Sequence, residues 1–407
     1  MIYAPPALAA IDEEVIALID AQKERLRIYT QHSPRRWSGS LRRSTFARAI
    51  RGSNTIAGYN ATLDEAIAVI ENEPPLDERT ETWLAIKGYR DALTYITQAS
   101  QDSTFEFTRQ FLKSLHFLMM GFDMSKYPGQ WRPGSIFIVN QPSGETVYEG
   151  PDVEQVNGLM GELVAYLSAA PEENVLVRGA MAHLNLTMIH PFKDGNGRMA
   201  RALQTFVLAR EGILHPVFSS IEEWLGRNTE AYYAILAQTG QGSWRPEGDA
   251  LPWVRFCLKA HFQQAATLIR RNEEYERLYA GIVPVLEGNK LPQRMAMPLF
   301  DAALGFRLTN ARYRADAEVS EMVASRDLRR LCDLKLLAAH GANRGRVYSA
   351  GESLRLLRSW ARLARRVEDP YHIVTERQDT QRQAETPLLP GFQANGGEGG
   401  IAPGADA

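Results

Sequence analysis

The chain is poor in cysteine, with two in 407 residues. Two thiols cannot build a disulfide framework or a cysteine-based zinc site. Cys257, in WVRFCLKAHF, and Cys332, in LRRLCDLKLL, sit in apolar helical contexts and read as buried thiols of a reducing compartment. Long apolar runs are missing too: no stretch of about 18 apolar residues could cross a membrane. The opening MIYAPPALAAIDEEVIALID has no basic segment, and acids interrupt its apolar run, unlike a signal peptide. A cytoplasmic protein is therefore expected. Net charge is almost absent, with 46 Lys+Arg against 48 Asp+Glu, which excludes a histone-like or acidic-tail protein as a whole. A phosphate-binding loop of the form GxxxxGK(S/T) is absent. What remains is an ordinary globular composition, 44% hydrophobic and 23% charged, at a length that allows two or three domains of about 150 residues each.

Helical periodicity dominates the chain. Ile11, Val15, Leu18 and Ile19 mark a first amphipathic helix within the opening 30 or so residues. Residues 31–51 carry six arginines and no acid (Arg35, Arg36, Arg42, Arg43, Arg48 and Arg51) and read as a solvated connector or a phosphate- or partner-binding surface. Thr62 followed by Glu65 predicts a capping box. Further helices are expected through Trp83, Ile86, Tyr89 and Leu93, over Phe105–Met120, Glu154–Ser168 and Glu173–Ile189. The segment SIFIVNQPSGETVYEG breaks the helical period. It predicts a hairpin of Ile136–Val139 and Thr146–Tyr148 around Pro142–Ser143–Gly144. Charge is uneven: residues 307–366 hold 14 Lys+Arg against 6 Asp+Glu, a net of +8, which leaves −10 elsewhere in a chain of net −2.

Residues 190–201, HPFKDGNGRMAR, concentrate chemistry. An apolar helical run stops at His190–Pro191, because proline lacks an N–H and restricts the residue before it. The Gly195–Asn196–Gly197 turn then opens a second helix. Successive backbone N–H groups at a helix start form an anion nest. Arg198 and Arg201, three apart, share a helix face and suit a polyphosphate. Asp194 precedes the nest, where a carboxylate can hold Mg²⁺ bridging phosphates. His190 is the one base here that titrates near neutral pH. Together they imply attack on a bound nucleotide phosphate.

The segment is similar to the Fic-family signature H-P-F-x-(D/E)-G-N-G-R-x-x-R at every specified position. The similarity extends over about residues 40–275, through GYRDAL (Gly88–Leu93), the hairpin, which is placed like the family's target-positioning flap, Arg227–Asn228, Tyr232–Tyr233 and Trp253. The resemblance implies a protein adenylyltransferase that uses ATP and Mg²⁺ to place AMP on a Ser, Thr or Tyr hydroxyl of a target protein or of itself. His190 would take the hydroxyl proton and Asp194 would bind the metal. Gly195, Asn196 and Gly197 would form the anion hole, and Arg198 and Arg201 would hold the β- and γ-phosphates. Phe192 would anchor the loop. Asn228, Tyr232 and Tyr233 are candidates for the nucleoside end, and His183 reads as a packed core histidine. Other readings are a nucleotide-sensing DNA-binding regulator, or uridylyl, phosphocholine or phosphoryl transfer on the same core.

Many Fic proteins carry an inhibitory motif, (S/T)-x-x-x-E-(G/N), whose Glu pairs with the second signature Arg. Ser53, Ile56 and Gly58 fit this frame, but Ala57 stands at the Glu position. Either an inhibited enzyme has been altered, or the protein naturally lacks the brake, or the match to the motif is by chance. In the first two cases Arg201 is expected to be free for ATP. Near the C-terminus a basic helix–turn–helix–hairpin pattern resembles a winged helix-turn-helix. Ser325 and Asp327 would start its second helix, with Leu328, Leu331, Leu334 and Leu337 facing the core. Arg326, Arg329, Arg330, Arg344 and Arg346 would contact DNA, with protein binding, dimerisation or simple capping as alternatives. The expected fold is mainly α: an N-terminal helical region carrying the motif (1–95), a Fic catalytic core with a β-hairpin flap (96–275), a winged helix (285–366) and a disordered tail (375–407). A homodimer is a further expectation. The target protein is not legible.

Overall fold

The computed structural model describes residues 1–31, 38–73, 80–139, 146–169, 173–210, 216–341 and 346–385. Its elements run in order α1 (Ala10–Gln31), α2 (Ser38–Ile56), α3 (Leu63–Ile70), α4 (Glu81–Ala99), α5 (Arg109–Met120), β1 (Phe137–Val139), β2 (Thr146–Glu149), α6 (Val153–Ser168), α7 (Val175–Ile189) and α8 (Asn196–Ala209). They continue through α9 (Pro216–Ser219), α10 (Glu222–Arg227), α11 (Thr229–Gly240), α12 (Leu251–Gly288), α13 (Ala296–Leu304), α14 (Asn310–Ala317), α15 (Glu321–Asp333), β3 (Leu337–His340), β4 (Val347–Ala350), α16 (Glu352–Ala361) and α17 (Pro370–Glu385). The fold is mainly helical, as expected.

Side-chain caps set several boundaries. Thr62 and Glu65 form the expected capping box of α3. α5 begins later than its apolar pattern suggests, because the Thr108 hydroxyl accepts from Phe111 N–H. Phe105 and Phe107 precede that helix and pack edge-on against Phe206, at 4.8 and 5.4 Å between centroids. β1 and β2 pair antiparallel as the predicted hairpin; its Pro142–Ser143–Gly144 turn lies outside the described residues.

Three buried clusters hold the helices together. One gathers α4 to α8, with Leu112, Met119, Leu163, Leu186, Phe192 and Leu203 fully buried. A second joins α1 to α7 and α12 through Val15, Ile19, Leu184 and Trp253. There the buried Asp12 accepts from Arg255, at 2.8 and 3.0 Å, and from the Tyr371 hydroxyl at 3.0 Å. That tie brings α17 onto α1 and α12, so residues 375–385, assigned to the tail from sequence, are helical; residues 386–407 lie outside the described set.

The third cluster unites Leu41, Ala47 and Ile67 with Leu299, Phe300, Leu328 and Leu331. From residue 38 onward the arginine-rich stretch is therefore no connector: residues 38–51 belong to α2. Arg43 bonds Asp301 and Glu71, at 2.5 and 3.1 Å, and Ser40 donates to Asp301 at 2.7 Å. Arg35 and Arg36 lie outside the described residues.

The C-terminal helix departs from its expected start. Ser320, not Ser325, caps α15. Leu334 follows the helix and is 39% exposed, while Leu337 opens β3. Leu328 and Leu331 carry the buried stripe within the helix itself. Of the thiols, Cys257 is buried and Cys332 only partly so.

Candidate active site

α7 and α8 form a hairpin whose connecting loop holds the signature residues. The loop starts where His190 turns left-handed (φ 51°) and caps α7, its N–H reaching Leu186 O at 3.1 Å. A non-glycine residue in that conformation is uncommon and points to local constraint. The His190 Nδ1 lies 3.1 Å from Thr187 O. A carbonyl only accepts, so Nδ1 carries the proton and Nε2 keeps its lone pair. Burial pushes the His190 pKa down to about 4, aided by the nearby Arg132 cation and opposed by the Thr187 bond. His190 is thus a neutral base at pH 7.

The middle of the loop is closed by a side chain. Asn196 Oδ1 accepts from Phe192 N–H at 2.9 Å and its Nδ2 donates to Phe192 O at 2.8 Å. Its amide is therefore committed to shaping the loop, which leaves its backbone for anion contact. Phe192 is fully buried, as its expected anchoring role requires, and stacks on His116 at 3.8 Å between centroids. Gly195 adopts φ 79° at the start of α8, and a Cβ there would sit 3.0 Å from Met120 Sδ. Asp194 accepts from Gly195 N–H at 2.6 Å through one oxygen and pairs with Lys126 at 3.2 Å through the other.

The two arginines differ. Arg198 is 1% exposed; its Nη2 lies 2.8 Å from Met120 Sδ, and its guanidinium lies 4.9 Å from the Tyr59 ring centroid. Its Nε and Nη1 have no hydrogen-bond partner among the described residues, although both are buried. Burial draws its pKa down, partly opposed by Tyr59 and Asp194. Arg201, by contrast, is not free as the sequence suggested. Its Nε donates to Ser53 Oγ at 2.7 Å, its Nη2 to Ser53 O at 2.9 Å, and its Nη1 reaches Tyr232 OH at 3.5 Å. Ala57 lies exposed on the turn after α2, and Gly58 follows with φ 87°.

The nucleoside candidates have structural bonds. Tyr232 is buried, its hydroxyl 2.9 Å from His183 Nε2. His183 is the expected core histidine, fully buried, with Nδ1 2.7 Å from Gln204 Oε1. Asn228 donates to Trp224 O at 2.7 Å, and Tyr233 donates to Ile56 O at 2.9 Å while leaving about half its surface exposed.

Sequence reasoning missed the supports behind the loop. Arg132, 3% exposed, donates from Nε to His190 O at 3.0 Å, from Nη1 to Gly134 O at 2.6 Å and from Nη2 to Pro151 O. Its own N–H reaches Pro191 O at 2.8 Å. One buried cation thus ties the base to both ends of the hairpin. His116, on α5, joins Gly129 N–H to Asp194 O, at 2.9 and 3.0 Å. A histidine within the apolar run FLKSLHFLMM was the available signal for the second. Behind Arg201, Glu222 is buried, and burial raises its pKa to about 7 against the pull of Tyr89, Arg201 and Thr205.

Residues 106–208 match the model of the Fic/DOC family. The chain is 26% identical over 267 residues to a protein adenylyltransferase Fic of Nematostella vectensis, covering 62% of this chain and 55% of that one. It is 29% identical over 253 residues to the protein of the same name in Drosophila virilis, covering 61% and 44%. It spans about half the length of these curated relatives. A crystal structure of a Fic family protein from Desulfovibrio desulfuricans has a similar fold, with a TM-score of 0.56 at 21% identity, covering 86% of this chain and 98% of that one. Fic-1 from C. elegans aligns with a TM-score of 0.51 at 22% identity, covering 64% and 72%. No helix among the described residues is long and apolar enough to cross a membrane. The loop between α7 and α8, with His190, Asp194 and Arg198, falls inside the segment that matches the Fic/DOC family model.

Proposed function

We propose that this chain is a protein adenylyltransferase, transferring AMP from ATP to a hydroxyl of a target protein or of itself. The observation that carries this reading is the neutral His190, with Nε2 open, on the same short loop as Asp194 and the buried, under-bonded Arg198. His190 Nε2 takes the proton from the attacking hydroxyl, the new P–O bond forms at the α-phosphorus, and pyrophosphate leaves. A buried guanidinium with two orphaned nitrogens fits a polyphosphate, whose oxygens would satisfy them. Backbone N–H groups of Asn196 and Gly197 would stabilise charge on the transferred phosphate, while the Gly195 N–H is held by the Asp194 carboxylate.

Asp194 supplies a hard carboxylate oxygen beside the start of α8, the donor type that a Mg²⁺ ion shared with phosphates takes from a protein. Bound there, Mg²⁺ would neutralise phosphate charge and favour departure of pyrophosphate. The exposed Phe137 and Val147 of the hairpin support its reading as a flap that aligns an extended target segment.

For Arg201 to hold the γ-phosphate, it must exchange Ser53 for phosphate oxygens. A neutral hydroxyl and carbonyl hold an arginine less tightly than a carboxylate would. Ala57 thus supports a de-inhibited state, and Ala57→Glu is expected to slow transfer; an unchanged rate and ATP affinity would remove this assignment. The winged-helix reading keeps Arg326, Arg329 and Arg346 exposed for DNA or protein, whereas Arg330 is committed to Asn289 O and Lys290 O, both at 3.1 Å. Arg344 lies outside the described residues.

The reading is tested by incubating labelled ATP and a lysate with the wild-type chain and with His190→Ala. Incorporation by the wild type alone is expected. Equal incorporation by both would sink the proposal.

A further inference from the structure

The signature loop is braced from behind at two points. Arg132 holds the His190–Pro191 end through His190 O and Pro191 O. The other end carries the nest, and there the brace is His116, whose Nε2 lies 3.0 Å from Asp194 O. Gly129 N–H points at the opposite ring nitrogen, Nδ1, at 2.9 Å. An N–H only donates, so Nδ1 is unprotonated and Nε2 carries the hydrogen that Asp194 O accepts. The ring also lies flat on the buried Phe192, with an interplanar angle of 7°, a stack that rotation would break.

That bond has a directional consequence. In a trans peptide the C=O and the following N–H point in opposite directions. Holding Asp194 O toward α5 therefore turns Gly195 N–H away from α5, to the side where it meets the Asp194 carboxylate at 2.6 Å. Gly195 has φ 79°. A peptide that precedes a left-handed glycine can flip at little steric cost, the move that interconverts type I and type II turns. A flip here would take the donor from the Asp194 carboxylate and put a carbonyl oxygen in its place.

We propose that His116 is a positioning residue that latches the Asp194–Gly195 peptide with its N–H on the Asp194 carboxylate, which fixes that carboxylate and the start of α8 for the nucleotide phosphates. This inference rests on the adenylyltransferase reading above. His116 touches no reacting atom. It acts through the loop, as an outer hydrogen-bond partner acts on the metal ligand it orients.

The test compares the full-length chain with His116→Phe, which keeps the stack on Phe192 and loses both bonds, and with His116→Gln, which keeps an Nε2–H donor. His116→Met, of similar length and without a donor, replaces His116→Phe if that variant does not fold. Calorimetric ATP affinity and initial rates of AMP incorporation are read alongside the unfolding midpoint. The Phe or Met variant is expected to bind ATP more weakly and to lose roughly 10- to 100-fold in kcat. His116→Gln should recover most of both at a similar unfolding midpoint. Wild-type affinity and rate in the donor-less variant, or equal losses in it and in His116→Gln, would overturn the latch. If the wild type itself transfers no AMP, the adenylyltransferase reading fails, and ATP affinity still decides the latch: equal affinity in wild type and donor-less variant rejects it.

Discussion

The loop at residues 190–201 and the C-terminal region at residues 285–366 are both arginine-bearing, yet their arginines do different things. In the loop, Arg198 is buried with two nitrogens that find no partner among the described residues, a state whose cost a bound anion would remove. In the module, Arg294 pairs with Asp327, a buried carboxylate of α15, at 2.7 and 3.0 Å, and Arg330 binds backbone carbonyls, so those charges are already satisfied. Buried arginines with no carboxylate partner among the described residues, as Arg198 and Arg201, point to an anionic ligand, whereas Arg312 of α14, also buried with two unbonded nitrogens, already faces Asp301 at 3.5 Å and belongs to the architecture. Local charge density alone does not separate the two.

Four experiments sharpen that contrast. The largest effect is expected at Gly195→Ala, where left-handed strain and the 3.0 Å approach to Met120 Sδ would displace the nest. Initial rates with labelled ATP should fall about 100-fold, the scale of a misplacement near 1 Å; a wild-type rate would show that the loop tolerates displacement. Asp327→Ala strips the partner from Arg294 and from the Tyr313 hydroxyl, 2.9 Å away. It should cost about 2 kcal/mol, below the range of fully buried pairs because Arg294 is a third exposed. Denaturant unfolding measures this, and transfer per folded molecule should not change.

The third experiment is a pH series. Burial lowers the pKa of His183 and His261 to about 3 and of His116 to about 4, against 6.5 for an ordinary imidazole. The unfolded chain then binds more protons below pH 6.5, so the stability these neutral histidines contribute is present above pH 6.5 and is lost as pH falls toward 3 to 4. The unfolding midpoint should be level on the neutral side and drop through that window; a level profile to pH 4 would contradict the buried neutral assignment. The smallest effect belongs to Arg326→Ala with Arg329→Ala. Both side chains are exposed, so stability should move by no more than about 0.5 kcal/mol. Retention of duplex DNA at about 50 mM salt, lost in this double variant, would support a nucleic-acid role for the module.

The same contrast explains what the sequence made legible. The loop could be read because its base, acid, glycines and arginines are contiguous, and because Pro191 and Gly195 force the backbone to turn where they stand. The capping box at Thr62 and Glu65 was legible for the same local reason. Contacts made across long separations were not. His116 reaches Asp194 across 78 positions, and no spacing rule records it; Ser53 reaches Arg201 across 148, where the resemblance placed the motif near Arg201 but not the bond itself. The start of α15 was misread because Ser320 and Ser325 are both plausible caps, and the choice falls to packing around Leu328 and Leu331.

The most direct test of the central claim is the intact mass of the chain after incubation with ATP and Mg²⁺, for the wild type and for His190→Ala. The account predicts a gain of one or more AMP units by the wild type and none by His190→Ala. An identical gain in both, or no gain on the chain or on any lysate protein while ATP remains tightly bound, would contradict it.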